Sequence, residues 1–229
     1  MIDYKMFCEQ CRKTDRHAFL IIRHSERPSI SVQDPSFGGD LPLTERGVRM
    51  AREAGELLKR HLPERMTSAD WTFRASPLLR TKRTAKLMAE GMRIEDAAVE
   101  DALELGIPGV WMYDTKLAHD CHEREGARVF NNRVVSNGVG EGYYPQDVSA
   151  KRLLEWIQKT MISTQFGLFL THDIFLALFL QAMGAGKFST EGHWVGYLQG
   201  AALFEREDGR MDVSYCVPDL QTAANSYIV

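Results

Sequence analysis

Long hydrophobic runs are missing from this chain of 229 residues. Its most apolar stretch, Phe166 to Met183, is broken by Thr171, His172, Asp173 and Gln181, whereas a bilayer-spanning helix needs about 20 consecutive apolar residues. No membrane span is expected. The opening residues MIDYKMFCEQCRKTDR hold no continuous apolar segment of the kind a secretory signal carries. Cysteine is scarce, with Cys8, Cys11, Cys121 and Cys216 only. That is too few for a disulfide framework in a chain of this size, so reduced thiols and a cytoplasmic location are expected. An excess of one charge is also lacking. Lys and Arg number 28 against 31 Asp and Glu, a formal net charge of -3. This balance speaks against a nucleic-acid or anionic-membrane partner and leaves any recognition of anions to a local site. Repeats and low-complexity segments are absent.

What is present is the composition of an ordinary folded protein, 44% hydrophobic and 26% charged. The length fits one domain over 1–229 carrying an insertion or small cap. Ala18 to Ile22 is a short continuous apolar run, which predicts a central strand buried on both faces. A loop containing Pro28, Pro35, Gly38, Gly39 and Pro42 follows, then a helix from Glu45 to Arg60 N-capped by Thr44. Trp71 to Ala75 predicts a second strand. Ser76 and Pro77 then suit the N-cap and first position of a helix reaching Glu90, with Gly91 as its stop. The segment 106–146 is rich in glycine and aromatics without a clean period, and is expected to be an irregular insertion. A helix over 148–161, a strand over 166–170 and a helix over 173–183 come next. A hairpin turning on Asp208-Gly209 closes the pattern.

Strands alternating with helices predict a three-layer α/β/α sandwich with a mostly parallel sheet, and ligands of such sheets bind beyond the carboxyl ends of the strands. Three places qualify: Arg23-His24, Ser76 to Arg80, and Thr171-His172-Asp173. Two imidazoles among arginines suit phosphoryl transfer without a metal. Guanidinium groups hold phosphate oxygens through paired donors and stay charged at any working pH. Arg23, Arg27 and Arg80 are the phosphate-binding candidates. Neighbouring positive charge depresses an imidazole pKa, which keeps His24 available as a nucleophile. The departing alkoxide needs a proton, and either Asp173 or Glu104 could give it.

Arg23-His24-Ser25-Glu26-Arg27-Pro28 resembles the RHGxRxP signature of the histidine phosphatase superfamily, and Thr171-His172-Asp173 resembles the HD motif of its acid-phosphatase branch. Ser76 to Ala85 is similar to the S-x-L-x-R-x-x-x-T-A segment, and Leu43-Thr44-Glu45-Arg46-Gly47 to the LTxxG element. The likeness runs from about residue 18 to 217. It implies a phosphoglycerate mutase-like fold and a phosphatase that passes through a phosphohistidine at His24. Arg23, Arg27 and Arg80 would hold the phosphate and His172 would stabilise its developing charge. The resemblance prefers Asp173 as proton donor, while the mutase-like branch, nearer in size to this compact chain, places a Glu at the position of Glu104. Ser25 departs from the usual Gly. A phosphoglycerate mutase-like phosphotransferase and a catalytically idle phospho-ligand-binding module are the alternatives.

No metal or cofactor is expected. His119 and His122 lack obvious further ligands, and Cys8 with Cys11 is a lone pair in what reads as an N-terminal tail. Trp111, Tyr113, Tyr143 and Tyr144 are read as packing residues or as lining of a substrate pocket. His193 and Trp194 carry the same two readings, packing being preferred, and Arg83 is read as a solvated charge. The expected partner is a phosphorylated small molecule or phosphoprotein; the sequence carries no code for which one, nor for the oligomeric state.

Overall fold

The computed structural model describes residues 1–29, 39–63, 67–94, 96–161 and 164–218; Pro35 and Gly38 of the predicted loop lie outside them. A seven-stranded sheet runs through the described residues in the order β1-β7-β6-β2-β5-β3-β4. The strands are β1 (Ile2–Asp3), β2 (Ala18–Arg23), β3 (Trp71–Ala75), β4 (Val99–Asp101), β5 (Phe166–Thr171), β6 (Gly200–Glu205) and β7 (Met211–Val217). The pairings β2 with β5, β5 with β3, β3 with β4 and β1 with β7 are parallel, and those of β6 with β2 and β7 are antiparallel. The helices are α1 (Tyr4–Cys11), α2 (Glu45–His61), α3 (Leu79–Gly91), α4 (Thr115–Glu125), α5 (Ala127–Asn137), α6 (Gln146–Thr160) and α7 (Asp173–Ala182).

Two apolar cores explain why β2 reads as an unbroken hydrophobic run. Ala18, Leu20 and Ile22 face a core completed by α1, α2 and α3, while Phe19 and Ile21 face one completed by α4 to α7. Burying each large aliphatic or aromatic side chain contributes roughly 1.5–3 kcal/mol, so the central strands commit the chain to covering both sheet faces. The result is the expected three-layer α/β/α sandwich. Helix α7, whose residues Ile174 to Leu180 are all buried, is apolar all round because other elements surround it. Among the described residues no helix is long and apolar enough to cross a membrane.

The structure departs from the sequence reading in three places. The N-terminal segment is an ordered element, since β1 pairs with β7 and α1 buries Tyr4, Phe7, Cys8 and Cys11. Helix α3 begins at Leu79 rather than at Pro77, because Ser76 turns its hydroxyl toward Thr81 and His172 instead of capping. The segment 106–146 is not irregular: it contains α4 and α5, bounded by Gly126 at φ 80° and Gly138 at φ 68°, conformations natural to glycine.

Candidate active site

Strand register sets the site. Ile22 lies level with Leu170, and Ala75 also lies level with Leu170. The residues that follow, Arg23-His24, Thr171-His172 and Ser76, therefore leave the sheet at one edge. Backbone bonds tie the edge together, from His24 N to Thr171 O at 3.1 Å and from Ser76 N to Leu170 O at 3.0 Å. The turn carrying Glu104 joins them through Ala102 N to Ala75 O at 2.8 Å and through the Thr171 hydroxyl, which donates to Leu105 O at 2.6 Å.

His24 is buried, and its two ring nitrogens are distinguished by their neighbours. Nδ1 lies 2.7 Å from Ser25 O, a carbonyl that can only accept, so Nδ1 carries the proton. Nε2 accepts from Arg80 Nε at 3.2 Å and therefore holds a free electron pair. Burial first, then His172, Arg23 and Arg80, push this imidazole well below its ordinary pKa. His172 is pulled down likewise, by burial and then by Arg80. The two rings stand edge to face with centroids 5.5 Å apart, and His172 Nε2 lies 2.9 Å from Ser76 Oγ.

Arg23 is held from three sides. Its Nη2 pairs with Asp173 Oδ2 at 2.9 Å, Nη1 donates to Val195 O at 2.8 Å, and Cζ lies 4.2 Å over the Tyr197 ring. Among the described residues its buried Nε has no hydrogen-bond partner, and neither has the buried Nε of Arg27. A buried donor left unpaired costs about 1–3 kcal/mol, so both are poised for an acceptor that arrives with a ligand. Burial, before the other charges, draws Arg80 down to about 10, which leaves it cationic at neutral pH. Arg23, Arg27 and Arg80 thus all act on the Asp173 carboxylate, and this excess of cations over their shared partner suits a dianion.

Asp173 is held as an ion-pair and hydrogen-bond acceptor. Burial pushes its pKa up, but Arg23, the Trp194 N–H and His172 outweigh it and hold the carboxyl below its ordinary range. Trp194 Nε1 donates to Oδ2 at 3.1 Å, and Ile174 N donates to Oδ1 at 2.9 Å. Both oxygens are occupied as acceptors. Glu104, in contrast, is half-buried and makes no ion pair or hydrogen bond among the described residues.

The remaining motif residues position this cluster. Thr44 caps α2 by accepting from Gly47 N at 2.9 Å, and its hydroxyl donates to Glu26 Oε1 at 2.7 Å. A Cβ on Gly47 would fall 2.1 Å from Glu26 O, so the glycine lets α2 press against the segment after β2 that carries His24 and Arg27. Gly47→Ala is expected to lower unfolding free energy by about 2–3 kcal/mol, measured by urea denaturation; a loss under 0.5 kcal/mol would contradict that contact. Ser25 fits where glycine was expected, because its N–H donates to Thr84 Oγ1 at 3.0 Å and its hydroxyl to Gly47 O at 2.7 Å.

Tyr197 is a site residue that the sequence did not disclose, and Trp194 is one it left between packing and pocket lining. They lie on the loop before β6, where Leu198 takes φ 60° and is held by the Tyr4 hydroxyl donating to Leu198 O at 2.6 Å. His193 does pack, against Phe188 and Tyr215. Trp111 stacks on Phe175, and Tyr143 is buried beside Phe130; both belong to the core. Tyr113 is exposed, edge-on to Tyr144. Arg83 pairs with Glu90 at 3.7 Å on the surface. His119 faces Glu123, Cys121 accepts from Arg124, and His122 packs on Phe130.

Both imidazoles make stability depend on pH. Their folded pKa values lie below the unfolded value near 6.5, so the unfolded chain binds more protons once pH falls below about 6.5. Stability is unaffected above that pH and declines beneath it, by about 1.4 kcal/mol per pH unit for each imidazole kept neutral. Urea unfolding between pH 6.5 and 5 is expected to show a slope for the native chain steeper by that amount than for His24→Gln. Equal slopes would mean that His24 titrates as in water.

The histidine phosphatase superfamily (branch 1) model matches residues 19–209, and the chain belongs to that superfamily. Solved structures of the same architecture include phosphoglycerate mutase from Bacillus anthracis, at 15% identity and TM-score 0.54 over 89% of this chain and 95% of that one. Mycobacterial glucosyl-3-phosphoglycerate phosphatase matches at 16% identity and TM-score 0.56, covering 88% and 99%. The ecdysone phosphate phosphatase of Bombix mori matches at 16% and 0.51, covering 93% and 98%. Among curated proteins no sequence matches. The fold is thus phosphoglycerate mutase-like, in a superfamily that contains phosphatases and mutases.

Proposed function

We propose that the protein is a metal-independent phosphomonoesterase acting through a phosphohistidine at His24. The observation that carries this reading is the unprotonated Nε2 of His24, buried beside the Arg23 and Arg80 guanidinium groups, with Asp173 paired to Arg23. The phosphate enters between Arg23, Arg27 and Arg80, and Arg80 Nε moves its hydrogen bond from His24 to a phosphate oxygen. Nε2 attacks phosphorus, an N–P bond forms and the P–O bond to the alcohol breaks. His172 and the arginines stabilise the charge that develops on the equatorial oxygens.

Asp173 was the donor preferred from sequence, and its two occupied oxygens argue for another role. It orients Arg23 and remains ionised. Glu104 is the group that protonates the leaving oxygen; its carboxylate then takes a proton from the water that cleaves the N–P bond, returning His24 and free phosphate. A phosphorylated small molecule or phosphoprotein is the substrate. The test is hydrolysis of p-nitrophenyl phosphate from pH 4 to 8, with acid-labile phosphate trapped on the intact protein. Neither turnover nor trapped phosphate would end the phosphatase reading.

The same arrangement makes Tyr197 a positioning residue for Arg23. Tyr197→Leu is expected to raise KM for the phosphoester about fivefold or more with little change in kcat, through loss of the cation–π contact. Unchanged KM would place Arg23 under the control of Asp173 alone.

A further inference from the structure

One side of the pocket mouth is apolar. Pro77 and Leu79 precede Arg80 at the start of α3, and Leu103 and Ile107 flank the turn that carries Glu104. These two segments abut: a Cβ on Gly106 would lie 3.2 Å from both Pro77 Cδ and Ser76 Cβ, and Ser76 Oγ is 2.9 Å from the ring of His172. Leu79, Leu103 and Ile107 are nonetheless 48%, 64% and 37% exposed. A single exposed leucine needs no explanation, but large aliphatic groups gathered on two abutting segments beside a reactive pocket indicate a binding surface.

Charge on this side is already matched. Lys82, which follows Arg80 on α3, is held by Asp101 at 3.2 Å, and Arg83 faces Glu90. Arg80 itself belongs to the phosphate. A second anionic group on the substrate, a carboxylate or another phosphate, would meet aliphatic surface here and, among the described residues, cations already paired with Asp101 and Glu90.

We propose that the substrates are phosphomonoesters of apolar alcohols, with the hydrocarbon lying over Leu79, Leu103 and Ile107 while the phosphate sits among the arginines. This inference rests on the phosphatase reading above. It gives the rim a role in specificity and sets the enzyme apart from those acting on phosphorylated acids or bisphosphates.

Methyl, butyl and hexyl phosphate share nearly the same leaving-group acidity, so chain length alone reports contact with the rim. Each methylene that reaches it is expected to raise kcat/KM by up to about fourfold, giving at least tenfold from methyl to hexyl phosphate. 3-Phosphoglycerate is expected to fall at least tenfold below hexyl phosphate. The exposed double substitution Leu79→Ser with Leu103→Ser should flatten the series, bringing the hexyl-to-methyl ratio of kcat/KM below about threefold; a ratio unchanged from the native chain would overturn the rim's role. A flat series in the native chain, with hydrolysis still dependent on His24, would overturn the apolar-alcohol inference and leave the phosphatase reading standing. If no ester is hydrolysed, the phosphatase reading fails, and calorimetric binding to His24→Ala decides the rim. Tighter binding of hexyl than methyl phosphate by tenfold supports the rim, and equal affinity overturns it.

Discussion

His24→Ala is expected to abolish turnover of p-nitrophenyl phosphate, by about four orders of magnitude or more, and to eliminate acid-labile phosphate on the protein. The size follows from the chemistry. The arginines can hold a phosphate without His24, but no other side chain in the cluster offers an unprotonated nucleophile aligned by two fixed neighbours, Ser25 O on one nitrogen and Arg80 on the other. His172 occupies its own Nε2 with Ser76. Folding should survive, because β2 is anchored by Ala18 to Ile22 on both faces, and His24 lies past its end. Phosphate binding should persist in the variant, so calorimetry with inorganic phosphate separates loss of the nucleophile from loss of the pocket. Residual turnover within tenfold of the native rate would remove the phosphohistidine route altogether.

The second large effect divides the two carboxyl groups. Glu104→Gln is expected to reduce kcat for alkyl phosphates by about 10²–10⁴, the range attributable to a positioned general acid. It should affect formation of the phosphohistidine from p-nitrophenyl phosphate far less, because nitrophenolate leaves without a proton. Asp173→Asn removes the negative partner of Arg23 and should act through KM for every ester alike, whatever the leaving group. Burst kinetics with both kinds of ester distinguish these patterns. A leaving-group dependence that appears in Asp173→Asn and not in Glu104→Gln would exchange the two roles.

The sheet edge could be read from the sequence because each of its parts has a local signature. Ala18 to Ile22 is an apolar run that ends in Arg23-His24, and Phe166 to Leu170 ends in Thr171-His172-Asp173, so the reactive residues follow directly from strand ends. Thr44 announces α2 through capping chemistry. Helices α4 and α5 were hidden because Thr115 to Glu125 buries only Ala118 and Cys121, and Ala127 to Asn137 only Phe130, Val134 and Val135; so narrow an apolar stripe leaves little periodicity. Helix α1 does carry a helical stripe, Tyr4, Phe7, Cys8 and Cys11, yet with cysteines in half the positions it resembled a polar tail. Burial pushes the Cys8 thiol up to about 12, which fits an inert packing role. Tyr197, and the choice between the two readings of Trp194, were out of reach for another reason. Both residues act from a loop whose path depends on long-range bonds, Leu198 N to Arg23 O and Tyr4 to Leu198 O, and no short window of sequence contains both ends of such a bond.

The place of β2 in the sheet also shapes how the protein comes into being. A ribosome delivers Ala18–Arg23 early, yet the strands that flank it, Phe166–Thr171 and Gly200–Glu205, come last among the central strands. The most hydrophobic early segment must wait for most of the chain before either edge is covered. Topologies of this kind fold slowly and leave an unpaired strand open to wrong partners during the delay. The cluster is therefore assembled late, once β5 brings His172 alongside His24 and the loop before β6 brings Tyr197 over Arg23.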